Sequence, residues 1–130
     1  MPNQDYIFPE GLAQPSGYTP VVKVDNTVYI AGQVSAGPDG NIVGQGDPEA
    51  QVRQVWRNLE TAVQSAGGTL QNIVKTTTYI TSPDYMSAVR KVRDELFQGG
   101  NPPTSTLLVI SALAHPDFLV EIEAVAAVDA

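Results

Sequence analysis

The chain contains no cysteine. Disulfides, thiolate nucleophiles and cysteine-ligated zinc are therefore excluded. Histidine occurs once, at His115, and no cluster of metal-ligating residues stands out, so no metal and no cofactor are expected. Basic side chains are scarce. Seven Lys+Arg stand against fourteen Asp+Glu, a net charge of −7, whereas a nucleic-acid binder normally presents a basic patch. No nucleic-acid partner is expected. No apolar run nears the roughly 20 residues that span a bilayer. The first 18 residues lack the basic and apolar regions of a secretory signal. No membrane partner and a cytoplasmic location are the expectations. Phosphate-cradling glycine loops and dinucleotide fingerprints are missing as well.

What is present fits one domain over residues 1–130. Residues 1–18 hold Pro2, Pro9, Pro15 and Gly17 and read as an irregular, extended lead-in. Val21–Val24 and Thr27–Ala31 flank Asp25-Asn26, the pattern of a hairpin. Gly37-Pro38-Asp39-Gly40 is a second turn, with a short strand expected near Asn41–Val43. Asp47-Pro48 opens a helix, Asp as cap and Pro in its first position. Its apolar stripe is Val52, Val55, Trp56, Leu59, Ala62, Val63 and Ala66, and Gly67-Gly68 ends it. Ile73–Thr81, rich in β-branched residues, reads as a central strand. Ser82-Pro83-Asp84 starts a second helix with Tyr85, Val89, Val92 and Leu96 as its stripe. After Gly99-Gly100, Pro102-Pro103 bars helix, and Thr104–Ala112 and Phe118–Val128 are the last strands.

The order β-β-β-α-β-α-β-β describes an α+β fold: a mixed sheet with two helices on one face. The last strand shows what lies opposite. Phe118, Val120, Ile122, Ala124 and Ala126 alternate onto one side, and Leu119, Glu121, Glu123, Val125 and Ala127 onto the other. A half-apolar, half-acidic sheet face left open is an invitation to assembly.

Three segments together carry a family resemblance: Gly17-Tyr18, Ala31-Gly32-Gln33, and the stretch from Pro102-Pro103 through Glu121 and Glu123. Here the chain resembles the Rid family, the YjgF-like enamine/imine deaminases once labelled L-PSP endoribonucleases. The resemblance covers roughly residues 6–129. It implies a chorismate-mutase-like fold assembled as a homotrimer, with small-molecule clefts between subunits. It also implies roles for individual positions. Tyr18 matches the family's ligand-orienting tyrosine, and Glu121 matches the glutamate that positions or activates a water. The family's serine before Gly-Gln is here Ala31, followed by Gly32, which reads as a close-approach glycine. The arginine that grips the substrate carboxylate is replaced by Ser105, with Thr106 beside it. A cysteine of some members is Leu107. The family's asparagine on the second helix aligns with Arg90, a candidate relocated carboxylate clamp or a solvated helix charge paired with Asp94 or Glu95.

Two functions follow from that pattern. One is a hydrolase acting on C=N bonds of a small reactive metabolite, with a shifted substrate range and weak activity on 2-iminopropanoate. The other is a non-catalytic trimer that binds a metabolite or partner in the same clefts. A Ser-His-carboxylate triad is not expected, because His115 lies in a turn away from Ser105.

Overall fold

A computed structural model describes residues 2–129. Six strands and two α-helices follow in the order β1 (Gln4–Ile7), β2 (Val21–Val24), β3 (Thr27–Gln33), α1 (Pro48–Ser65), β4 (Ile73–Ile80), α2 (Met86–Leu96), β5 (Thr104–Val109) and β6 (Val120–Ala127). The strands form one sheet, ordered β1-β2-β3-β6-β4-β5. Only β4 and β5 run parallel, so the sheet is mixed. The α+β architecture and the single helical layer expected from the sequence are both present.

Local chemistry sets the helix positions. The Asp47 carboxylate accepts from the Ala50 N–H at 3.1 Å and Pro48 occupies the first turn, so α1 starts where a cap and a pre-set φ coincide. Val52, Val55, Leu59 and Val63 then bury one face of α1 against Val28, Ile30, Val120, Ile122 and Ala126 of the sheet. Val89 and Val92 of α2 join the same core. A buried glutamine fastens this layer to the loops. Gln51 of α1 donates to the carbonyls of Gly44 and Asp117 and accepts from the Leu119 N–H.

Several boundaries differ from the sequence expectation. Gln4–Ile7 is not an irregular lead-in but an edge strand, paired antiparallel with β2. Asn41–Val43 is not a strand: a single bridge, Ala36 to Ile42, is all the tight turn at Gly37–Gly40 supports. The first three strands therefore include β1 and exclude that segment. The segment expected as Thr104–Ala112 stops at Val109, and Phe118 precedes β6 in a turn closed onto His115. Ser82 caps a 3-10 turn over Pro83–Tyr85 before α2 proper begins at Met86.

Opposite the helices, the open face carries two kinds of surface. Tyr6, Val22, Tyr29 and Val125 sit side by side across four strands. Tyr6 is 59% and Tyr29 52% exposed, so this is an apolar patch facing outward. Beside it run Glu123, Thr77 and Thr106 in one row, and Glu121, Tyr79 and Leu108 in the next.

Candidate functional site

The pairing of β3 with β6 slips between Ile30 and Gln33, so Ala31 and Gly32 face the single residue Glu123. This is a β-bulge, a device that re-aims side chains. Gly32 lies against the Glu121 carboxyl. A β-carbon at Gly32 would come within 2.5 Å of Glu121 Oε2 and 2.8 Å of its Cδ. Glycine is required here for the space it leaves to an acid, and its φ lies outside the left-handed region. Ala31 is tied down by its backbone: its N–H donates to the Pro20 carbonyl, and its carbonyl accepts from the Gln33 side chain.

Tyr18 lies in the loop before β2 and is 58% exposed. With Gly32, Gln33, Val34 and Asn58 it lines a small cavity of about 80 Å³. Asn58 is buried on α1 and donates to the carbonyls of Val34 and Ala36, which fixes the loop leaving β3. Tyr18, Ala31, Gly32 and Glu121 are thus gathered at one end of the β3–β6 pair, around the bulge.

The two glutamates have unequal surroundings. Glu123 accepts a hydrogen bond from Tyr79 Oη at 2.9 Å. Glu121 is half-buried, and no side-chain donor among the described residues meets it. Burial, with the neighbouring Glu123 charge second, holds its proton to higher pH than an ordinary carboxyl. The Tyr79 hydroxyl is pushed up in turn, first by its bond to Glu123, then by burial and by the charges of Glu123 and Glu121. A half-buried carboxyl whose pKa is raised is a better proton acceptor than an ordinary surface carboxylate.

The remaining candidates lie elsewhere. Thr106 is on the open face, opposite Thr77 in the row of Glu123. Ser105 pairs with Thr76 on the helix-bearing face, at the exposed edge strand β5. Arg90 is exposed on α2, on the far side of the sheet from Glu121. Asp94 and Glu95, its expected partners, instead pair with Arg93 and Arg53. Among the described residues Arg90 has no ion-pair partner. One chain therefore assembles Tyr18, Ala31, Gly32 and Glu121, and leaves Arg90 and Ser105 on the other side of its sheet.

Two residues of this region escaped the sequence reading. Tyr79 and Asn58 look like ordinary strand and helix positions. Their roles depend on partners 44 and 22–24 residues away, which no local pattern reveals.

Comparison with known proteins agrees with the fold. The family model described as Endoribonuclease L-PSP matches residues 10–128. A RutC family protein of Pyrococcus horikoshii is 32% identical over 124 residues, covering 95% of this chain and 97% of the relative. Its counterpart in Pyrococcus abyssi is 31% identical, covering 95% and 96%. The crystal structure of a Rid-family protein of unknown function from Yersinia pestis superposes with a TM-score of 0.91 at 32% identity, over 97% of this chain and 100% of that one. With a family match across almost its whole length and full-length relatives called Rid and RutC proteins, the chain belongs to the L-PSP (Rid/RutC) family.

Proposed function

We propose that this protein is a homotrimeric hydrolase of small imines or enamines, working in clefts between subunits. The reaction adds water across C=N and expels ammonia: R₂C=NH + H₂O gives R₂C=O + NH₃. Glu121 takes a proton from the attacking water and returns one to the departing nitrogen. Tyr18 orients the ligand. The observation that carries this reading is the packing of Glu121, a half-buried carboxyl with a raised pKa, over the bulge residue Gly32, which with Tyr18 lines a small cavity.

Assembly is supported by the open face of the sheet. Tyr6, Val22, Tyr29 and Val125 form an apolar patch of a kind that soluble monomers seldom expose. Assembly also answers the split of the candidate residues, since Arg90 and Ser105 of one copy can face Glu121 and Tyr18 of the next. In that arrangement Arg90, without an ion pair among the described residues, receives an anionic ligand where Ser105 offers only a hydroxyl. Thr106 and the backbone at Ala31 complete the polar lining.

The test is ammonia release from a small imine generated in solution. Wild-type protein should turn over, and Glu121→Gln should lose activity by about 10²–10⁴-fold, the usual worth of a general base. A second reading, a non-catalytic metabolite-binding trimer, is favoured by the two lost hydroxyl and guanidinium groups at Ala31 and Ser105. It predicts ligand binding with no ammonia release from either protein.

A further inference from the structure

Two acids on β6 have access to the same space. In register, the residue opposite the bulge at Ala31 and Gly32 is Glu123, not Glu121. The carboxyl packed over Gly32 nevertheless belongs to Glu121, which leans there from the neighbouring row. The fit leaves no room to spare, since a β-carbon on Gly32 would lie 2.5 Å from Glu121 Oε2. Glu123 is engaged on the other side, where its Oε1 accepts from Tyr79 Oη of β4 at 2.9 Å. That bond is diagonal. Tyr79 stands directly opposite Glu121, and Thr77 directly opposite Glu123. Diagonal neighbours on a sheet face are within reach of an aromatic side chain. The hydroxyl thus bypasses its own register partner and takes hold of the acid whose register faces the bulge.

Among the described residues no other side chain bonds to Glu123. Lys75 and Thr77 line a small hollow beside it, yet Lys75 forms no ion pair with it among those residues. Strands β3 and β5 carry no charged side chain, and Tyr29 of β3 faces Val125 in the next row. The two carboxyls do feel one another: after burial, the Glu123 charge is the second cause that raises the Glu121 pKa.

We propose that Tyr79 is a positioning residue that decides which acid occupies the bulge: by tying Glu123 to β4, it reserves the space over Gly32 for Glu121. Its part in catalysis rests on the imine-hydrolysis reading above, whereas its control of Glu121 does not. Without the hydroxyl, Glu123 turns toward its register partners Ala31 and Gly32. A second carboxylate there repels Glu121 and moves it off the bulge. Tyr79 touches no reacting atom and acts only through Glu123. The effect of removing its hydroxyl must therefore disappear when Glu123 is absent.

A double-mutant cycle of Tyr79→Phe and Glu123→Ala tests this, read by ammonia release and by carboxyl-labelled NMR of Glu121. Tyr79→Phe should lower kcat about 10–100-fold with KM little changed, as misplacement of a reacting group does. It should also move the Glu121 titration to higher pH, because the Glu123 charge comes nearer. In the Glu123→Ala background the same substitution should change kcat by less than ~3-fold and leave the Glu121 titration where it was. A Tyr79 that only supports the fold would show equal losses with and without Glu123. Equal losses, or a Tyr79→Phe protein with wild-type kcat and an unmoved Glu121 titration, would overturn the assignment. If the wild-type protein releases no ammonia, the imine reading falls and the titration alone decides. A Glu121 shift that vanishes without Glu123 then sustains the role of Tyr79, and no shift, or one that persists, overturns it.

Discussion

Tyr79 Oη donates to Glu123 Oε1 at 2.9 Å across the β4–β6 pair, while Glu121, two residues earlier on the same face, receives no side-chain donor from the described residues. One carboxylate of the pair is thereby held as an acceptor, and the other is left without a side-chain partner among the described residues. The difference between two acids two residues apart rests on that hydroxyl at Glu123 and on burial at Glu121.

Titration of Glu121 is the first consequence. Its carboxyl should titrate above the usual 4.5. Glu123→Gln should bring it down by removing the neighbouring charge, and should leave the part due to burial. Carboxyl-labelled NMR across pH 3–9 measures both. The sign for stability follows. Between the unfolded carboxyl pKa and the raised folded value, the native state binds more protons than the unfolded chain. This group's contribution therefore falls as pH rises through that window, and Glu121→Gln should remove that part of the slope.

Gly32→Ala isolates the contact at the bulge. The new methyl group would lie 2.5 Å from Glu121 Oε2, so the carboxyl must swing away. The displaced group is the end of a flexible side chain, so the cost in stability should be about 1 kcal/mol or less. Activity should nonetheless fall at least ~10-fold, because a general base must sit within hydrogen-bond reach of its proton. Thermal melting and the ammonia assay, run on the same sample, separate the two effects.

Gln51 predicts a different outcome. It is fully buried and serves Gly44, Asp117 and Leu119 at once. Gln51→Leu strands two carbonyls and an N–H, each costing about 1–3 kcal/mol if it remains buried. Urea denaturation should show a loss of roughly 3 kcal/mol or more, larger than that of any exposed substitution on α1.

Ser105→Arg tests the substrate range. Ser105 is exposed at the β5 edge, so a guanidinium can be placed there without disturbing the core. A charged clamp is commonly worth about 2–5 kcal/mol. Wild-type protein should act weakly on 2-iminopropanoate, and the substitution should raise kcat/KM for it while changing activity on an uncharged imine little.

The sequence made the helical layer and the central strands readable because their signals are local: Asp47-Pro48 as a cap, a 3.6-residue apolar stripe, and alternation along β6. It did not reveal β1. That strand is only four residues long, lies among prolines, and exists because β2 offers an edge. The opposite error at Asn41–Val43 has the same origin, since those residues are β-prone but find no strand to pair with beyond the Ile42 bridge. At the site, Glu121 and Tyr18 were identified by resemblance. The fit of Glu121 over Gly32 was not legible, because it depends on a slip in register between strands about ninety residues apart.

The central claim is that the working site is shared between copies, with Glu121 from one and Arg90 from its neighbour. Mixing the separately inactive Glu121→Gln and Arg90→Ala proteins, with subunit exchange verified by mass, tests it most directly. Random exchange leaves roughly a quarter of the interfaces with both native residues, so ammonia release should recover to about that fraction of wild type. Verified mixed trimers that stay as inactive as either parent would contradict the account.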